Sequence, residues 1–513
     1  MRITDANRRW WVLVTMTGSL SMILIDQTVV SVALPTMQDE LELSTTGVQW
    51  VVNAYLLAIA VLVALGGRIG DLIGNERVFR IGAIVFVLAS AACGLAQSEA
   101  WIIVARAIEG VGAALMTPSS GAIVMNAFPS DERGKAMGIY AGVSLVFVAL
   151  GPLIGGALVE GIGWEAVFYV NLPVGVVMLV LAHVTMPRAL APPPAGGRID
   201  WPGVPLLIVG VGSLVLGLMQ SRAWGWDSPA VIGLLIAAAV VLPLFVVWEL
   251  HAREPLVQLR LFKSRNFSVD NLVLAVLQFG IIGVSVFGAI WVQDVLGFGP
   301  ITAGLSLLPL TIPLLVLAVG TGKLYDRIGP RVPVAAGAFL VGGAFAWLAA
   351  VLHELSYGWI VPGYVCMGVG LALVMTPAST DAMNVADPAL RGQASGVIQT
   401  MRQVGGTIGI AVLGTIISNV QHTQVSDWVA ADPASREADI DQIQTVLANP
   451  DAAPSAAVDP AVVEMLRDAV TTAISSAYWV AAGFLLLAAV IAGLALRRVR
   501  AADASPDDVV PVV

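Results

Sequence analysis

One stretch of sequence occurs twice: GVGAALMTP at residues 110–118 returns as GVGLALVMTP at residues 368–377. Two further pairs lie at nearly the same separation, Arg133-Gly134 with Arg391-Gly392, and a Gly-x3-Asp-x2-Gly loop at 67–74 with its copy at 322–329. The offsets run from 255 to 259. The repeat therefore predicts that the chain contains two copies of one structural unit.

The composition places this repeat in a membrane. Hydrophobic residues make up 58% of the 513 residues and charged residues only 12%, whereas soluble domains carry about 25% charged residues. Apolar stretches long enough to cross a bilayer as helices lie at 10–33, 47–66, 78–96, 101–119, 136–158, 166–185, 203–219, 229–248, 268–291, 303–320, 333–352, 359–378, 394–418 and 476–496. We predict an all-α integral membrane protein with fourteen spans.

The basic residues orient these spans. With the N-terminus in the cytoplasm, twenty-one of the 26 Lys and Arg residues fall in cytoplasmic segments, three in outer segments and two inside helices. This bias follows the positive-inside rule and predicts that both termini are cytoplasmic. A first helix retained in the mature protein is preferred to a cleaved signal peptide, because its apolar run is long and contains Asp26.

The repeat maps helices 2–5 onto helices 10–13, so two parallel six-helix bundles frame two inserted helices, 7 and 8. The expected domains are residues 1–190, the inserted region 191–260, and residues 261–500. The last domain includes an acidic outer loop at 421–474, and residues 501–513 form a disordered cytoplasmic tail. Parallel six-helix repeats are the plan of major facilitator transporters, whose substrate site lies between the halves.

Other classes of function find little support in the sequence. No basic stripe suits a nucleic acid, and Cys93 and Cys366 lie in separate apolar segments, which predicts free thiols. The four histidines have no metal-ligand spacing, and no phosphate-binding GxxxxGK[ST] loop appears. We expect a protein that is not an enzyme, has no cofactor or metal, and uses the proton gradient as its energy source.

The loop between helices 2 and 3 resembles the signature loop of the major facilitator superfamily. Its glycines permit a tight turn and its aspartate can accept hydrogen bonds from the N-terminus of a helix in the other half. Arg77 is the one basic residue left at its end. The resemblance implies a conformational gate formed by two copies, Gly67, Asp71, Gly74 and Arg77 in the first and Gly322, Asp326, Arg327 and Gly329 in the second.

Helix 5 resembles the antiporter motif of the same superfamily, through Gly142, Gly151, Pro152, Gly155 and Gly156. Glycines four residues apart form a smooth packing face, and the proline is expected to bend the helix. Ordinary small-residue packing is the alternative explanation. Since helix 13 lacks the proline, this feature belongs to one half only.

Ionisable residues inside spans mark candidate functional sites. Asp26 lies about 25 Å along helix 1, in a segment that resembles the helix-1 motif of fourteen-helix drug/proton antiporters. Arg106 and Glu109 lie on one face of helix 4, where the same family usually has Arg and Gln. The resemblance implies proton coupling by Asp26, Arg106 and Glu109, with Asp26 the more sensitive acid. A solvated Asp26 and a self-neutralising Arg106–Glu109 pair are the structural alternatives.

The resemblance also assigns a substrate cavity. Arg402 lies about 12 Å into helix 13 and can face the centre from the second half. The family-like segment Trp50–Tyr55 adds Asn53 and Tyr55 to this expected cavity.

Together these features predict a proton-coupled antiporter that exports amphipathic drugs or metabolites across a bacterial plasma membrane by alternating access. The expected partners are small amphipathic substrates, protons and the lipid bilayer; the oligomeric state stays open, and a monomer suffices for this mechanism. A nutrient-uptake symporter of the same fold and a non-transporting membrane sensor are the alternatives. The inserted helices and the helix-5 motif disfavour the symporter, and the lack of a recognisable soluble signalling domain disfavours the sensor.

Overall fold

The computed structural model describes residues 4–186, 197–431 and 460–497, and long helices account for most of them. These helices are α1 (Asp5–Glu40), α2 (Thr45–Ile73), α3 (Asn75–Gly94), α4 (Glu99–Ala127), α5 (Arg133–Gly161), α6 (Ala166–Thr185), α7 (Gly203–Trp224), α8 (Pro229–His251), α9 (Arg265–Asp294), α10 (Leu308–Ile328), α11 (Arg331–Val351), α12 (Tyr357–Val385), α13 (Arg391–Ala431) and α14 (Pro460–Ala495).

The helix number agrees with the sequence prediction. Thirteen helices of the described residues are long and apolar enough to cross a membrane. Helix α5 bends by 44° between Arg133–Val148 and Leu153–Gly161, and it is the fourteenth span when its two parts are counted together. The bend lies at the point where Pro152 was expected to cause one, because proline cannot donate the helical backbone hydrogen bond.

Two predicted boundaries are wrong. Helix α10 begins at Leu308 rather than residue 303, after a separate short helix, Pro300–Leu305. The acidic loop is shorter than 421–474, because α13 continues to Ala431 and α14 already begins at Pro460. Hydropathy follows only the apolar part of a helix, whereas a polar extension without glycine or proline continues the same helix. Residues 432–459 and the tail 501–513 lie outside the described residues.

The helices form two bundles, α1–α6 and α9–α14. They meet along two seams, α2 against α13 and α5 against α10, which are equivalent under the repeat. The inserted helices pack on each other, and α7 lies against both α2 and α13. Helix α8 directs a stripe of apolar side chains outward, as a lipid-facing helix should: Ile232, Ile236, Val240, Leu244 and Val247.

The repeated loops end α2 and α10 in the same way. Gly74 has φ +102° and Gly329 has φ +78°, a backbone region that favours glycine over residues with a Cβ. Each glycine lets the chain reverse directly into the next helix. We call the side of the protein that carries these two turns the latch side, and the opposite side the far side; the charge count predicts that the latch side is cytoplasmic.

Candidate functional site

The three ionisable residues predicted in helices 1 and 4 come together inside the N-terminal bundle, and we call them the charged centre. Arg106 Nη1 donates to Asp26 Oδ2 at 2.7 Å and to Glu109 Oε2 at 2.7 Å. All three side chains are buried, with exposed fractions of 1% or less. Asp26 is therefore an ion-paired acid and not a solvated one. Arg106 and Glu109 are not a self-contained pair, because they share a third charged partner from α1.

Neutral groups complete the charged centre. Asn171 Nδ2 donates to Asp26 Oδ1 at 3.0 Å and also contacts Ser90 Oγ at 3.0 Å. Arg106 Nε donates to the Val51 carbonyl at 3.1 Å. The Tyr55 ring lies 4.2 Å from the guanidinium carbon, a cation–π distance. Asn171, the Val51 carbonyl and the Tyr55 ring thus partly compensate the charges for the loss of water, and Ser90 contacts the Asn171 amide.

Between the two bundles lies a cavity of about 230 Å³, which we call the central cavity. It is lined by α1, α2, α4 and α5 from the first bundle and by α9, α12 and α13 from the second. Its polar side chains include Gln27, Thr117, Tyr140, Gln278, Thr376, Ser379, Ser395, Gln399, Arg402 and Gln403. The remainder of the lining is apolar, with several methionine and leucine side chains, as amphipathic ligands require.

Of the three residues predicted for a substrate cavity, the structure places Arg402 on this lining. Its Nη1 donates to Gln399 Oε1 at 3.0 Å and its Nη2 approaches Gln278 Oε1 at 3.4 Å. The other two residues lie elsewhere in the described structure. Tyr55 is buried beneath Arg106, and Asn53 faces the inserted helix α7, where its Nδ2 contacts Gln220 Oε1 at 3.5 Å. The sequence of α2 alone does not show which helix packs on each of its faces, so it could not reveal that α7 covers the side that carries Asn53.

The charged centre and the central cavity are adjacent but separate. Asp26 points into the N-terminal bundle, whereas Ile23, Leu24 and Gln27 on the same helix line the cavity. The Gln27 side chain is in hydrogen-bonding contact with the Tyr55 hydroxyl. One helix, α1, therefore carries both a buried charge and part of the cavity wall.

The two loop motifs close the latch side, and we call these contacts the α2–α13 latch and the α5–α10 latch. Asp71 accepts hydrogen bonds from the backbone N–H groups of Gly392 and Gln393, each at 2.8 Å. Asp326 accepts from Gly134 at 2.9 Å and Lys135 at 3.0 Å. Each carboxylate caps the N-terminus of a helix in the opposite bundle, where N–H groups without an intrahelical partner and the helix dipole favour negative charge.

Glycines make these latches possible. A Cβ on Gly67 would collide with the Gly392 carbonyl oxygen, and a Cβ on Gly322 would collide with the Gly134 carbonyl oxygen. Arg77 and Arg327 lie exposed beside them on the latch side. In this conformation the bundles touch backbone to backbone at both seams on the latch side.

Comparison with known proteins agrees with this architecture. The sequence profile described as Major Facilitator Superfamily matches residues 16–410. The chain belongs to the major facilitator superfamily. It is 34% identical to the tetracenomycin C resistance and export protein of Streptomyces glaucescens, over 98% of this chain and 94% of that protein. It is 35% identical to the multidrug resistance protein Stp of Mycobacterium tuberculosis, over 78% of this chain and 74% of that protein.

A solved structure of a human member of the superfamily, the organic anion transporter MFSD10 (TETRAN), shares the fold. It covers 94% of this chain and 99% of its own, with a TM-score of 0.62 and 14% sequence identity. Span number and relatives fit the fourteen-helix drug antiporter branch of the superfamily. This chain is thus a multi-pass membrane transporter of the bacterial exporter type and not an enzyme.

The glycines of α5 serve two different contacts in this transporter. Near the latch side, a Cβ on Gly142 would lie 2.7 Å from the Ala318 Cβ of the other bundle. Near the far side, a Cβ on Gly151 would collide with Thr28 Oγ1, and one on Gly155 would lie 3.2 Å from the Val29 carbonyl oxygen. A Cβ on Gly156 would meet nothing within 4 Å. The predicted packing face therefore comprises Gly151 and Gly155 against α1, and it does not include Gly156.

Several residues of these sites escaped the sequence analysis. Asn171 belongs to a family-like segment, but nothing in that segment shows that its amide reaches Asp26. Gln278 and Gln399 are uncharged and do not stand out in a helix. Asp270 and Asp381 carried a signal that could have been used, because each is an acid inside a predicted helix or directly after one.

Proposed function

We propose that this transporter is a proton-coupled antiporter that exports amphipathic compounds from the cytoplasm across the plasma membrane. The observation that carries the proposal is the charged centre, in which two buried carboxyls share one guanidinium nitrogen. With all three groups ionised the centre has a net charge of −1 in a water-poor interior. Binding one proton neutralises it, so the centre is suited to take up and release a single proton.

Helix connectivity distinguishes the two acids. Glu109 is three residues from Arg106 on α4, so this pair persists however the helices move. Asp26 reaches Arg106 from α1, so this pair depends on the position of α1 against α4. When Asp26 is protonated, Glu109 still compensates the charge of Arg106. We therefore assign the exchangeable proton to Asp26 and the role of permanent counter-ion to Glu109.

Helix α1 also supplies the coupling between proton and cargo. Protonation of Asp26 weakens the link between α1 and α4, while Gln27 on the next residue forms part of the cavity wall. A small movement of α1 then changes the charged centre and the cavity together. Proton and cargo thus compete through the position of a helix and need not bind to the same carboxylate.

The central cavity suggests a class of cargo. Among the described residues Arg402 is the one charged side chain on its lining, accompanied by glutamine amides and hydroxyl groups. Hydrogen-bond donors and a positive charge favour compounds that are rich in acceptors or acidic, attached to an aromatic or alkyl body. The tetracenomycin C named for one relative serves as the first probe.

The closed latches suggest the direction of the cycle. With the latch side in the cytoplasm, as the charge count predicts, the cytoplasmic ends of the bundles are joined in this conformation. Opening both seams would expose the central cavity to the cytoplasm, and a rocking motion between the bundles would alternate its access. The membrane potential adds about 2.3 kcal/mol per elementary charge for each 100 mV.

Transport by the purified protein in proteoliposomes tests the proposal. An antiporter accumulates tetracenomycin C in the more acidic compartment, whereas a symporter accumulates it in the more alkaline one, whichever way the protein inserts. We expect accumulation in acid-loaded vesicles that a protonophore abolishes. Accumulation in alkaline vesicles, or transport that does not depend on the pH gradient, would exclude proton antiport.

The variant Arg402→Gln tests the cargo assignment in the same vesicles. Loss of one charge-assisted hydrogen bond, ~1.5 kcal/mol, should raise the KM for an acidic probe about tenfold. Arg253→Gln, which changes an exposed arginine after α8 that lies outside the cavity lining and the latches, is the matched control and should leave KM unchanged. Equal effects of the two substitutions would remove Arg402 from the cargo site.

A further inference from the structure

A second pair of buried acids lies in the C-terminal bundle, outside the charged centre. Asp270 on α9 is fully buried and Asp381 on α12 is 6% exposed. Their carboxyl groups are in hydrogen-bonding contact with each other. We call them the acid pair; it lies on the latch side, because Asp270 is near the start of α9 and Asp381 is near the end of α12.

The two acids have unequal surroundings. Asp381 accepts hydrogen bonds from the Tyr325 hydroxyl at 3.0 Å and from Asn266 Nδ2 at 2.8 Å. Neither carboxyl oxygen of Asp270 receives a hydrogen bond from a donor in the described part of the chain. Among the described residues, Asp381 is the ionisable group that interacts with the Asp270 carboxyl. This arrangement fits a neutral Asp270 that donates its proton to an ionised Asp381.

No cation compensates the acid pair within the described residues. Tyr325 from α10 is the one further titratable group that faces it. The nearby arginines of the surrounding helices turn to other acceptors: Arg265 to the Leu494 carbonyl, Arg331 to the Gly493 carbonyl, and Arg391 to Asn126. Two touching carboxylates without a cation cannot both ionise in a buried site, so the pair must hold one proton.

A chain of hydrogen bonds joins the acid pair to the seam between the bundles. From Asp381 it passes to the Tyr325 hydroxyl, which accepts from Asn384 Nδ2 at 2.9 Å. Asn384 Oδ1 accepts from Arg133 Nη1 of the N-terminal bundle at 2.8 Å. Arg133 immediately precedes the Gly134-Lys135 backbone held by Asp326. The acid pair is thus three hydrogen bonds away from the α5–α10 latch.

We propose that Asp270 and Asp381 form a second proton site, which holds one shared proton while the α5–α10 latch is closed and releases it to the latch side when that latch opens. Opening separates Arg133 from Asn384 and admits water to the end of the chain. Hydration then stabilises the second carboxylate, so the proton leaves. The proposal rests on the alternating opening inferred above, but it does not depend on the cargo or on the charged centre.

A metal or alkali cation is the competing occupant of two adjacent carboxyls. The geometry disfavours it, because a hydroxyl and an amide already direct hydrogen atoms at Asp381, and such donors repel a cation. No group of three or more potential metal-ligating side chains occurs among the described residues. A proton requires only the two oxygens that are in contact.

The sign of the pH dependence follows from the proton count. The closed latch binds one proton more at the acid pair than the open latch, so raising the pH favours opening, by up to about tenfold per pH unit. The latch residues Asp71 and Asp326 also lose contact with water when the seams close, so their titration contributes to the same equilibrium. Variants of Asp270 and Asp381 leave both latch residues in place and therefore isolate the contribution of the acid pair.

The test measures opening of the seam without cargo. Spin labels at Pro129→Cys and Arg327→Cys, in a chain lacking Cys93 and Cys366, report the distance across the α5–α10 seam in nanodiscs. The wild-type distance distribution should shift to the open form as the pH rises. Asp270→Asn and Asp381→Asn, which imitate the protonated state, should remain closed at all pH values. Asp227→Asn, an exposed acid on the far side, is the control and should behave as wild type.

Infrared difference spectroscopy gives an independent readout that does not require opening. Wild type at neutral pH should show the C=O stretch of a protonated carboxylic acid, and Asp270→Asn should lose one carboxyl equivalent of this band while Asp227→Asn keeps it. An unchanged band in Asp270→Asn would overturn the proposal. So would a seam distance that responds to sodium or potassium at constant pH, which would indicate a cation site.

Discussion

The two bundles bury their acids in different ways. In the N-terminal bundle Asp26 and Glu109 converge on Arg106, within a shell of amide, hydroxyl and aromatic groups. In the C-terminal bundle Asp270 and Asp381 converge on each other, with no cation among the described residues that contact them. The first cluster lies toward the far side and the second on the latch side. The same fold thus compensates the desolvation of a carboxylate in two ways, with an arginine in one bundle and with a second carboxyl group in the other.

The difference teaches how each cluster can respond to a proton. An acid paired with arginine loses its ion pair when protonated, so protonation changes the contact between helices. An acid paired with an acid requires the proton in order to remain buried, so deprotonation changes the contact. The charged centre is therefore expected to loosen in acid and the acid pair in alkali, from opposite sides of the membrane.

The latch side shows the same asymmetry between the repeats. Tyr325 precedes the latch residue Asp326, whereas Gly70 occupies the equivalent position before Asp71. A cavity of about 400 Å³ lies at the latch-side end of the N-terminal bundle, lined by Gly70, Ile123 and Asn126 among others. Both latches keep an arginine–asparagine hydrogen bond between the bundles, Arg133 with Asn384 and Arg391 with Asn126. The tyrosine and the acid behind it belong to the C-terminal half, since Gly70 and Ile123 occupy the equivalent positions.

The largest effect is expected from Arg106→Ala, which would turn the charged centre into an acid pair like that of the other bundle. Removing the guanidinium leaves two buried carboxyls uncompensated, a change that costs roughly 3–5 kcal/mol. Folded protein in the membrane and its melting temperature should both decrease markedly, as thermal unfolding in detergent measures. Arg106→Lys retains the charge but not the planar donor geometry, so its melting temperature should lie between those of wild type and Arg106→Ala. If Arg106→Ala is as stable as wild type, Asp26 and Glu109 must be protonated to an extent that makes a cationic partner unnecessary.

Substitution of the two acids of the charged centre is expected to have an intermediate effect on coupling. Asp26→Asn removes the interhelical ion pair, so transport driven by a pH gradient should fall by at least about tenfold, whereas exchange of cargo at equal pH persists. Glu109→Gln keeps the Asp26–Arg106 pair and should retain transport, with its pH profile displaced to lower pH because a neighbouring negative charge is lost. Proteoliposome flux against pH measures both. If Glu109→Gln proves the more damaging substitution, the roles assigned to the two acids must be exchanged.

The smallest effect is expected from Gly151→Val, which acts on the packing of the helix that carries Asp26. The added side chain collides with Thr28, two residues beyond Asp26, and such overpacking typically costs about 1–3 kcal/mol. Transport rate should decrease while membrane insertion is preserved. Gly156→Val is the matched control, because a Cβ there meets nothing within 4 Å, and it should transport normally. Equal rates for the two variants would reduce the helix-5 motif to ordinary small-residue packing.

Much of the fold follows from local sequence patterns, and the boundary errors have a local cause as well. Apolar length and the basic-residue count predicted the spans, because the bilayer constrains each helix separately. The limits of the acidic loop were wrong where polar sequence continued a helix. The substrate cavity was predicted only in part, because the placement of Asn53 and Tyr55 depends on which helix lies opposite.

By itself the sequence determined the helices, the repeat, the family resemblance and the presence of charges at Asp26, Arg106 and Glu109. These are properties of single segments or of residues at fixed spacing on one helix. The tertiary structure decided that Asp26 meets Arg106, that Arg402 faces the central cavity, and that Asp270 touches Asp381 across α9 and α12. Contacts of this kind join residues as far as 322 positions apart, as in the Gln393–Asp71 hydrogen bond of the α2–α13 latch. Helix packing alone sets them, because a hydropathy pattern records which residues are apolar and not which helix each face meets.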